Sequence, residues 1–405
     1  MRRLKALHVI TTLPRLSGAA DNTRYTANLL DQDRYEVHLA CGPAEMDTSK
    51  VASHVRVIVV PSLTRPIRPF ADSRATWQLY RLMRREQYDI VHTHNSKAGI
   101  VARLAARLAR TPIVVHTAHT ISFAASTSTA VNRLYQVTER FVAPLTARIV
   151  TVSTLNTAAY LNAGIGTPEQ FATIYSGVET ARFLNPPDRE LCRAELGLAP
   201  SQPLVLWIGR LNRQKDPLTA VRGFRLLADR LPSALLALAG EDSIGESLEP
   251  QVRVLITELR LSETVRLLGY RSDIPRLLAA ADLVLHTSLY EGLGRSIVES
   301  MLAGVPIVAT AVDGVLEAID PGRRGGYLVP PADPAALAAA ATRLLSDREL
   351  ASRLGAAGQA WAVERFDVHH MVQQLDDLYQ GLWQLRRGER GNAPQGLEQA
   401  ASIRP

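Results

Sequence analysis

Leu283-Val-Leu-His-Thr-Ser-Leu-Tyr-Glu-Gly-Leu-Gly-Arg-Ser-Ile-Val-Glu299 passes from an apolar run, Leu283–His286, through a glycine-broken loop into a helical pattern. A short apolar strand without polar alternation must be covered on both faces, as strands of parallel sheets are. The same sequence of strand, loop and helix occurs upstream. There Leu204–Ile208 ends in Gly209-Arg-Leu-Asn-Arg-Gln-Lys-Asp-Pro217, with Asp216 and Pro217 suited to cap and open the next helix. Leu235–Ala239, Val265–Leu268 and Ile307–Thr310 complete this series, with helices expected near 217–230, 249–260, 273–280, 295–303 and 334–345. An earlier series has strands at Leu7–Thr12, Val37–Cys41, Val55–Val60, Asp89–Thr93, Ile113–Thr117 and Ile149–Ser153, with helices such as Arg74–Arg85 and Ile100–Arg110. Alternating short strands and helices predict α/β architecture with mostly parallel sheets.

Two domains suit the 405 residues. The linker Asn185-Pro-Pro-Asp188 divides them into 1–184 and 189–364, followed by a helix over 365–387 and a tail, 388–405, poor in large apolar residues and expected to be disordered. With 46% hydrophobic and 21% charged residues, the composition is that of a globular protein. Cys41 and Cys192 stand far apart without a CxxC or Cys/His cluster, which supports neither a disulfide framework nor a structural zinc site, and both are expected to be reduced thiols. The sequence has no run long enough to span a bilayer and no signal-like apolar stretch after Met1, so a cytoplasmic protein is expected. Charge is unevenly spread: residues 1–183 carry 22 Lys or Arg against 12 Asp or Glu, +10, whereas the remainder carries 24 against 27, −3. The basic half calls for an anionic partner, which charge alone cannot choose among nucleic acid, acidic sugar, phospholipid and membrane surface.

The two glycine-bearing loops carry the chemistry. A helix beginning near Arg295 would aim free N–H groups and its positive dipole end at the loop before it, an arrangement that suits phosphate. Glu291 before that helix and Glu299 inside it would bracket the anion and accept bonds from sugar hydroxyls. Arg210 and Lys215 supply a guanidinium and an ammonium at the carboxyl end of a strand, where open parallel sheets bind ligands and where a diphosphate needs countercharge.

Together these segments resemble the retaining glycosyltransferases of family 4, the group 1 glycosyltransferases. The likeness extends through Leu13–Asn22, Tyr88–Gly99, Val115–His119, Ile174–Glu179, Gly209–Lys215, Glu291–Glu299, Ala303–Val308 and Gly326–Val329. It implies the glycosyltransferase B fold, two facing Rossmann-like domains with a C-terminal helix crossing back to the first. It also implies a metal-independent enzyme without a cofactor, which moves a hexosyl or N-acetylhexosaminyl group from a UDP-sugar or GDP-sugar to a saccharide or lipid-linked acceptor during cell-surface polysaccharide or glycolipid synthesis. By resemblance, Glu299 binds the donor ribose, Glu291 lies by the donor sugar, and backbone groups of Leu293, Gly294, Arg295 and Ser296 meet its hydroxyls or phosphates. Arg210 and Lys215 match the pair that contacts the diphosphate, His119 the N-domain histidine near the reacting sugar, and Gly18 the loop that approaches the phosphate. The chain departs from the family pattern at Gly18-Ala-Ala-Asp21, which keeps one glycine of an adjacent pair, at Thr120, where glycine usually follows the histidine, and at Gly240-Glu-Asp242.

Other signals receive plainer readings. Asp31-Gln-Asp33 spells a D-x-D but falls at a helix end, where a solvated terminus is expected. His92 and His94 flank a strand end with no third ligand evident, so packing and hydrogen bonding are expected there, not a metal. Arg65 and Arg68 in a Pro-rich loop, with Arg74, Arg81 and Arg85 on one helix face, suggest an anionic membrane surface, with Trp77, Tyr80 and Met83 as a separate core-side stripe. A nucleotide-sugar epimerase of similar fold and a nonenzymatic nucleotide-sugar sensor are the rival readings. The intact Arg210, Lys215, Glu291 and Glu299 favour the transferase, and no nucleic-acid module accompanies the basic charge.

Overall fold

The computed structural model describes residues 2–15, 17–121, 123, 128–241, 247–319 and 324–388. Residues 389–405, nearly all of the expected tail, and Asp242 of the altered glycine segment lie outside them. The chain divides into two compact units, residues 1–177 with 368–405, and residues 178–367.

The first unit is a seven-stranded parallel sheet. Its strands are β1 (Leu4–Ile10), β2 (Tyr35–Cys41), β3 (Arg56–Val59), β4 (Ile90–His94), β5 (Ile113–Ala118), β6 (Arg148–Thr151) and β7 (Phe171–Thr173), in the order β3-β2-β1-β4-β5-β6-β7. β1 begins and ends earlier than the sequence suggests, because Lys5 is accommodated at the sheet end by ion pairs to Glu36 and Glu86. The helix Val368–Arg386 belongs to this unit and packs Val368, Met371, Val372, Leu375, Leu378 and Tyr379 into the same core as Ala6 and Val37. Its Asp376 accepts hydrogen bonds from Tyr35 (2.6 Å) and Arg34 (2.8 Å), fixing its register on β2.

The helix Pro69–Glu86 starts earlier than expected, with Pro69 at its first turn, and corrects the stripe expected for it. It buries Ala75, Leu79, Leu82 and Met83, while Trp77 remains 58% exposed and Phe70 95%. Asp31 is exposed and paired with Arg34 in the turn before β2.

The second unit is a six-stranded parallel sheet of β8 (Leu204–Ile208), β9 (Leu235–Ala239), β10 (Val265–Gly269), β11 (Leu283–His286), β12 (Ile307–Thr310) and β13 (Gly326–Val329), ordered β10-β9-β8-β11-β12-β13. Helices including Pro217–Ala228, Arg295–Leu302 and Pro334–Ser346 bury their apolar faces. In both sheets the strand order reverses beside the first strand, between β1 and β4 and between β8 and β11. Connections leave a reversal point in opposite directions, so crevices form at the carboxyl ends of those strands.

Candidate functional site

In the second unit, the loops after β8 and β11 meet at the reversal point. Thr287 joins them: its hydroxyl lies 2.9 Å from the Lys215 carbonyl, 2.8 Å from that of Asp216 and 3.0 Å from the Trp207 indole N–H, which donates to it. Gln214 adds a second tie, accepting at its carbonyl from the Leu289 N–H (2.8 Å) and donating its amide to the Tyr290 carbonyl (3.2 Å). Arg210 donates to the same Gln214 side chain at 3.3 Å, which attaches its guanidinium to this pair of loops.

These ties bring Lys215 against Glu291. The ammonium donates to Glu291 Oε1, with 16% of the Lys215 side chain and 8% of the Glu291 side chain exposed. Ser288 Oγ donates to that oxygen at 2.9 Å, and His286 Nε2 lies 3.5 Å from it. The Glu291 N–H donates to Asp313 Oδ2 at 2.9 Å. Burial works to raise the Glu291 pKa, but the Lys215 charge, helped by the nearby His286 ring, outweighs it and holds the carboxyl below the ordinary range. Glu291 is therefore an ionised carboxylate whose Oε1 is held by Lys215 and Ser288. Burial lowers the His286 pKa, against the opposing pull of Glu291.

Gly294 caps the next helix with φ of 83°, a left-handed conformation where a side chain would also meet Ile297 Cδ1 at 2.8 Å. Leu293 and Ser296 are buried, and Ser296 Oγ lies 3.2 Å from His286 Nδ1. Arg295 donates to Glu299 at 2.8 Å one turn along, so that carboxylate is oriented within its own helix.

Gly18 and His119 belong to the first unit. Gly18 opens the helix Gly18–Leu29, behind the capping Ser17, and a Cβ added there would meet nothing within 4 Å. Packing does not require that glycine. His119 follows β5 directly and is 7% exposed. Its Nε2 lies 3.2 Å from His94 Nδ1, and His94 Nε2 lies 3.1 Å from His8 Nδ1. The third histidine that the sequence reading did not find beside His92 and His94 is thus His8, from the neighbouring strand β1. Ring nitrogens of His8, His92 and His94 lie within 4.8 Å of one another, close enough to be considered for a metal ion. Both nitrogens of His92 are nevertheless engaged, with Tyr379 Oη at 2.5 Å and Thr117 Oγ1 at 2.7 Å.

Sequence reasoning missed His286, Ser288, Gln214 and Asp313. The first two stand at the carboxyl end of β11, a position that itself signals a ligand-facing role in a parallel sheet. Asp313 is brought in by the next strand's loop and carries no local signal.

The parallel sheets with reversal points, and the paired loops at the carboxyl ends of their strands, define a doubly wound α/β class of protein that takes ligands in those crevices. The Glycosyltransferase Family 4 model matches residues 16–182, and the model for group 1 glycosyl transferases matches residues 188–361. A galactosyltransferase of Escherichia coli, UDP-Gal:alpha-D-GlcNAc-diphosphoundecaprenol alpha-1,3-galactosyltransferase, is 28% identical over 93% of this chain and 97% of its own. D-inositol 3-phosphate glycosyltransferase of Nocardia farcinica (strain IFM 10152) is 31% identical over 75% of this chain and 69% of its own. The crystal structure of Anabaena Alr3699/HepE with UDP and glucose superposes with a TM-score of 0.80 at 26% identity, covering 93% of this chain and all, 100%, of that one. The chain belongs to glycosyltransferase family 4, the group 1 glycosyltransferases, and has their glycosyltransferase B fold. It is a glycosyltransferase.

Proposed function

We propose that this enzyme is a retaining, metal-independent transferase that moves a hexosyl or N-acetylhexosaminyl group from a UDP-sugar to a lipid-linked or saccharide acceptor, with a GDP-sugar as the alternative donor. The observation that carries the proposal is the buried Lys215–Glu291 pair at the reversal point, beside the helix opened by Gly294. UDP is bound by the similar Anabaena protein, and the Escherichia coli relative is named for a UDP-Gal donor and a diphosphoundecaprenol-linked acceptor.

In this reading Arg210 and Lys215 balance the diphosphate, Glu299 holds the ribose, and the backbone of Leu293, Gly294, Arg295 and Ser296 meets sugar hydroxyls or phosphate. Gly18 approaches the donor phosphate and His119 serves the transferred sugar. The bond from the anomeric carbon to the diphosphate breaks as negative charge collects on the leaving phosphate, so preorganised cations supply the principal stabilisation. Glu291, tied to Lys215, Ser288 and His286, positions the sugar and does not attack it, and the leaving phosphate takes the acceptor's hydroxyl proton. The basic first unit, with exposed Phe70 and Trp77, lies on the anionic inner face of the cell membrane, where a lipid-linked acceptor is presented. Among the described residues no helix is long and apolar enough to cross a membrane.

A thermal-shift panel of UDP, GDP, ADP and their sugars tests the donor assignment. A true donor at about 100 times its dissociation constant stabilises by roughly 2.7 kcal/mol. Stabilisation by ADP compounds alone, or by none of the panel, would remove it.

A further inference from the structure

His8, His94 and His119 form a chain of imidazoles running from β1 through the end of β4 to the residue after β5. The nitrogens approach to 3.1 and 3.2 Å, and successive rings are inclined by only 21° in both contacts. His8 and His94 are 0% exposed, while His119 keeps 7%. Beside them His92 is held at both nitrogens by Tyr379 and Thr117 and stacks on His94 at 4.3 Å.

The proton count in this chain is constrained. Burial lowers the pKa of His8 to about 4 and of His119 to about 3, and that of His94 well below the ordinary histidine value. Each ring is therefore neutral near pH 7, with one proton for two nitrogens, and each link needs a single proton between its rings. Two arrangements satisfy both links. In one, every proton points toward His8, which places the His8 proton on Nε2. That atom is buried and has no hydrogen-bond partner among the described residues, so the arrangement leaves an orphan N–H in the core. In the other, His8 Nδ1–H donates to His94 Nε2, and His94 Nδ1–H donates to His119 Nε2. The unpartnered atom is then a bare lone pair, and His119, the most exposed of the three, carries its proton on Nδ1. Buried orphan N–H groups are rarer than unfilled acceptors, which favours the second arrangement.

We propose that His8 and His94 are positioning residues that lock the tautomer of His119, so that it presents a neutral Nδ1–H donor, and not a base, to the transferred sugar. The functional half rests on the reading above that His119 serves that sugar; the tautomer itself does not. In a reaction that uses no enzymic base, a fixed donor holds a sugar hydroxyl without competing for the acceptor's proton. The third ring, His92, buttresses the stack, and Tyr379 holds it there from the C-terminal helix.

The test is long-range proton–nitrogen correlation NMR on the full chain labelled with 15N-histidine, near pH 7. His119 is assigned by the loss of its signals in His119→Gln. The lock requires a His119 Nδ1 resonance of the protonated type and an Nε2 resonance of the bare type in the unaltered protein. In His8→Phe, which keeps the His94–His119 link, and in His94→Phe, which breaks it, the His119 signals should move toward a mixture or toward the Nε2–H form. A His119 proton on Nε2, both nitrogens protonated, or a tautomer unmoved by either folded variant overturns the proposal. So does stoichiometric zinc capture that strips the ring protons of His8, His92 and His94. The unaltered spectrum decides even if neither variant folds. Activity is a separate readout: full turnover by His119→Gln with the Nδ1–H tautomer present would remove the sugar-contact reading and leave the lock standing.

Discussion

Glu291 is stable as a buried anion only while Lys215 stays beside it. Breaking a buried pair from one side strands the other charge, so Lys215→Ala should lower unfolding stability by about 3–5 kcal/mol. Adding Glu291→Gln removes the stranded charge and should restore most of that loss, while transfer stays impaired because the cation is still missing. Denaturant unfolding of the two single variants and the double variant measures the coupling, and additive effects would show that the pair is energetically idle. The pH sign follows from the lowered pKa. On the acid side, the stabilisation is fully present above the ordinary carboxylate range and is lost as pH falls through the depressed folded value of Glu291. Both partners were legible in the sequence, since a cation after one strand and an acid after another suit a diphosphate. Their contact was not, because Gln214 and Thr287 draw the loops together through backbone carbonyls that no side-chain pattern reports.

At the scale of elements, adjacent strands concentrate histidines at one end of the first sheet. About one pH unit or more above the ordinary histidine value of 6.5, neither folded nor unfolded chain is appreciably charged there. As pH falls, the unfolded chain takes up protons that the buried His8 and His119 refuse until about 4 and about 3. Stability should therefore drop by about 3 kcal/mol from these two rings between pH 7.5 and 5.5, at about 1.4 kcal/mol per proton and pH unit. Unfolding midpoints at the two pH values would check this, and equal stability would mean that the rings are not held neutral. Glycine loops separate fold from ligand in a similar way. A Cβ on Gly240 would lie 1.7 Å from the Gly209 carbonyl oxygen, so Gly240→Ala should cost about 1–3 kcal/mol and displace the Arg210 loop. Gly18→Ala should change stability by less than about 0.5 kcal/mol and weaken donor binding instead. Melting and nucleotide titration of both variants distinguish the two roles. Phe171–Thr173, three residues with one large apolar side chain, and Gly326–Val329, which opens on glycine, escaped notice as strands, whereas apolar runs such as Leu235–Ala239 and Leu283–His286 announced themselves.

At the scale of the whole molecule, the net positive charge lies in residues 1–183, at +10, and two aromatics of the helix Pro69–Glu86 are exposed. Binding to anionic but not zwitterionic vesicles is expected, weakening with salt and on replacing Arg65, Arg68, Arg74, Arg81 and Arg85 with Gln, at about 1 kcal/mol per residue. Phe70→Ser with Trp77→Ser should weaken it further without unfolding, because neither side chain belongs to the core; co-sedimentation indifferent to lipid charge would end the membrane assignment. Calorimetric titration with UDP tests the donor site proposed for the second unit. In a variant carrying Arg210→Ala, Lys215→Ala and Glu291→Gln, the last to avoid a stranded carboxylate, loss of two charge-assisted contacts should weaken UDP binding by at least about 100-fold. Equal UDP affinity in the folded variant and the unaltered chain would show that UDP is not held by Arg210 and Lys215.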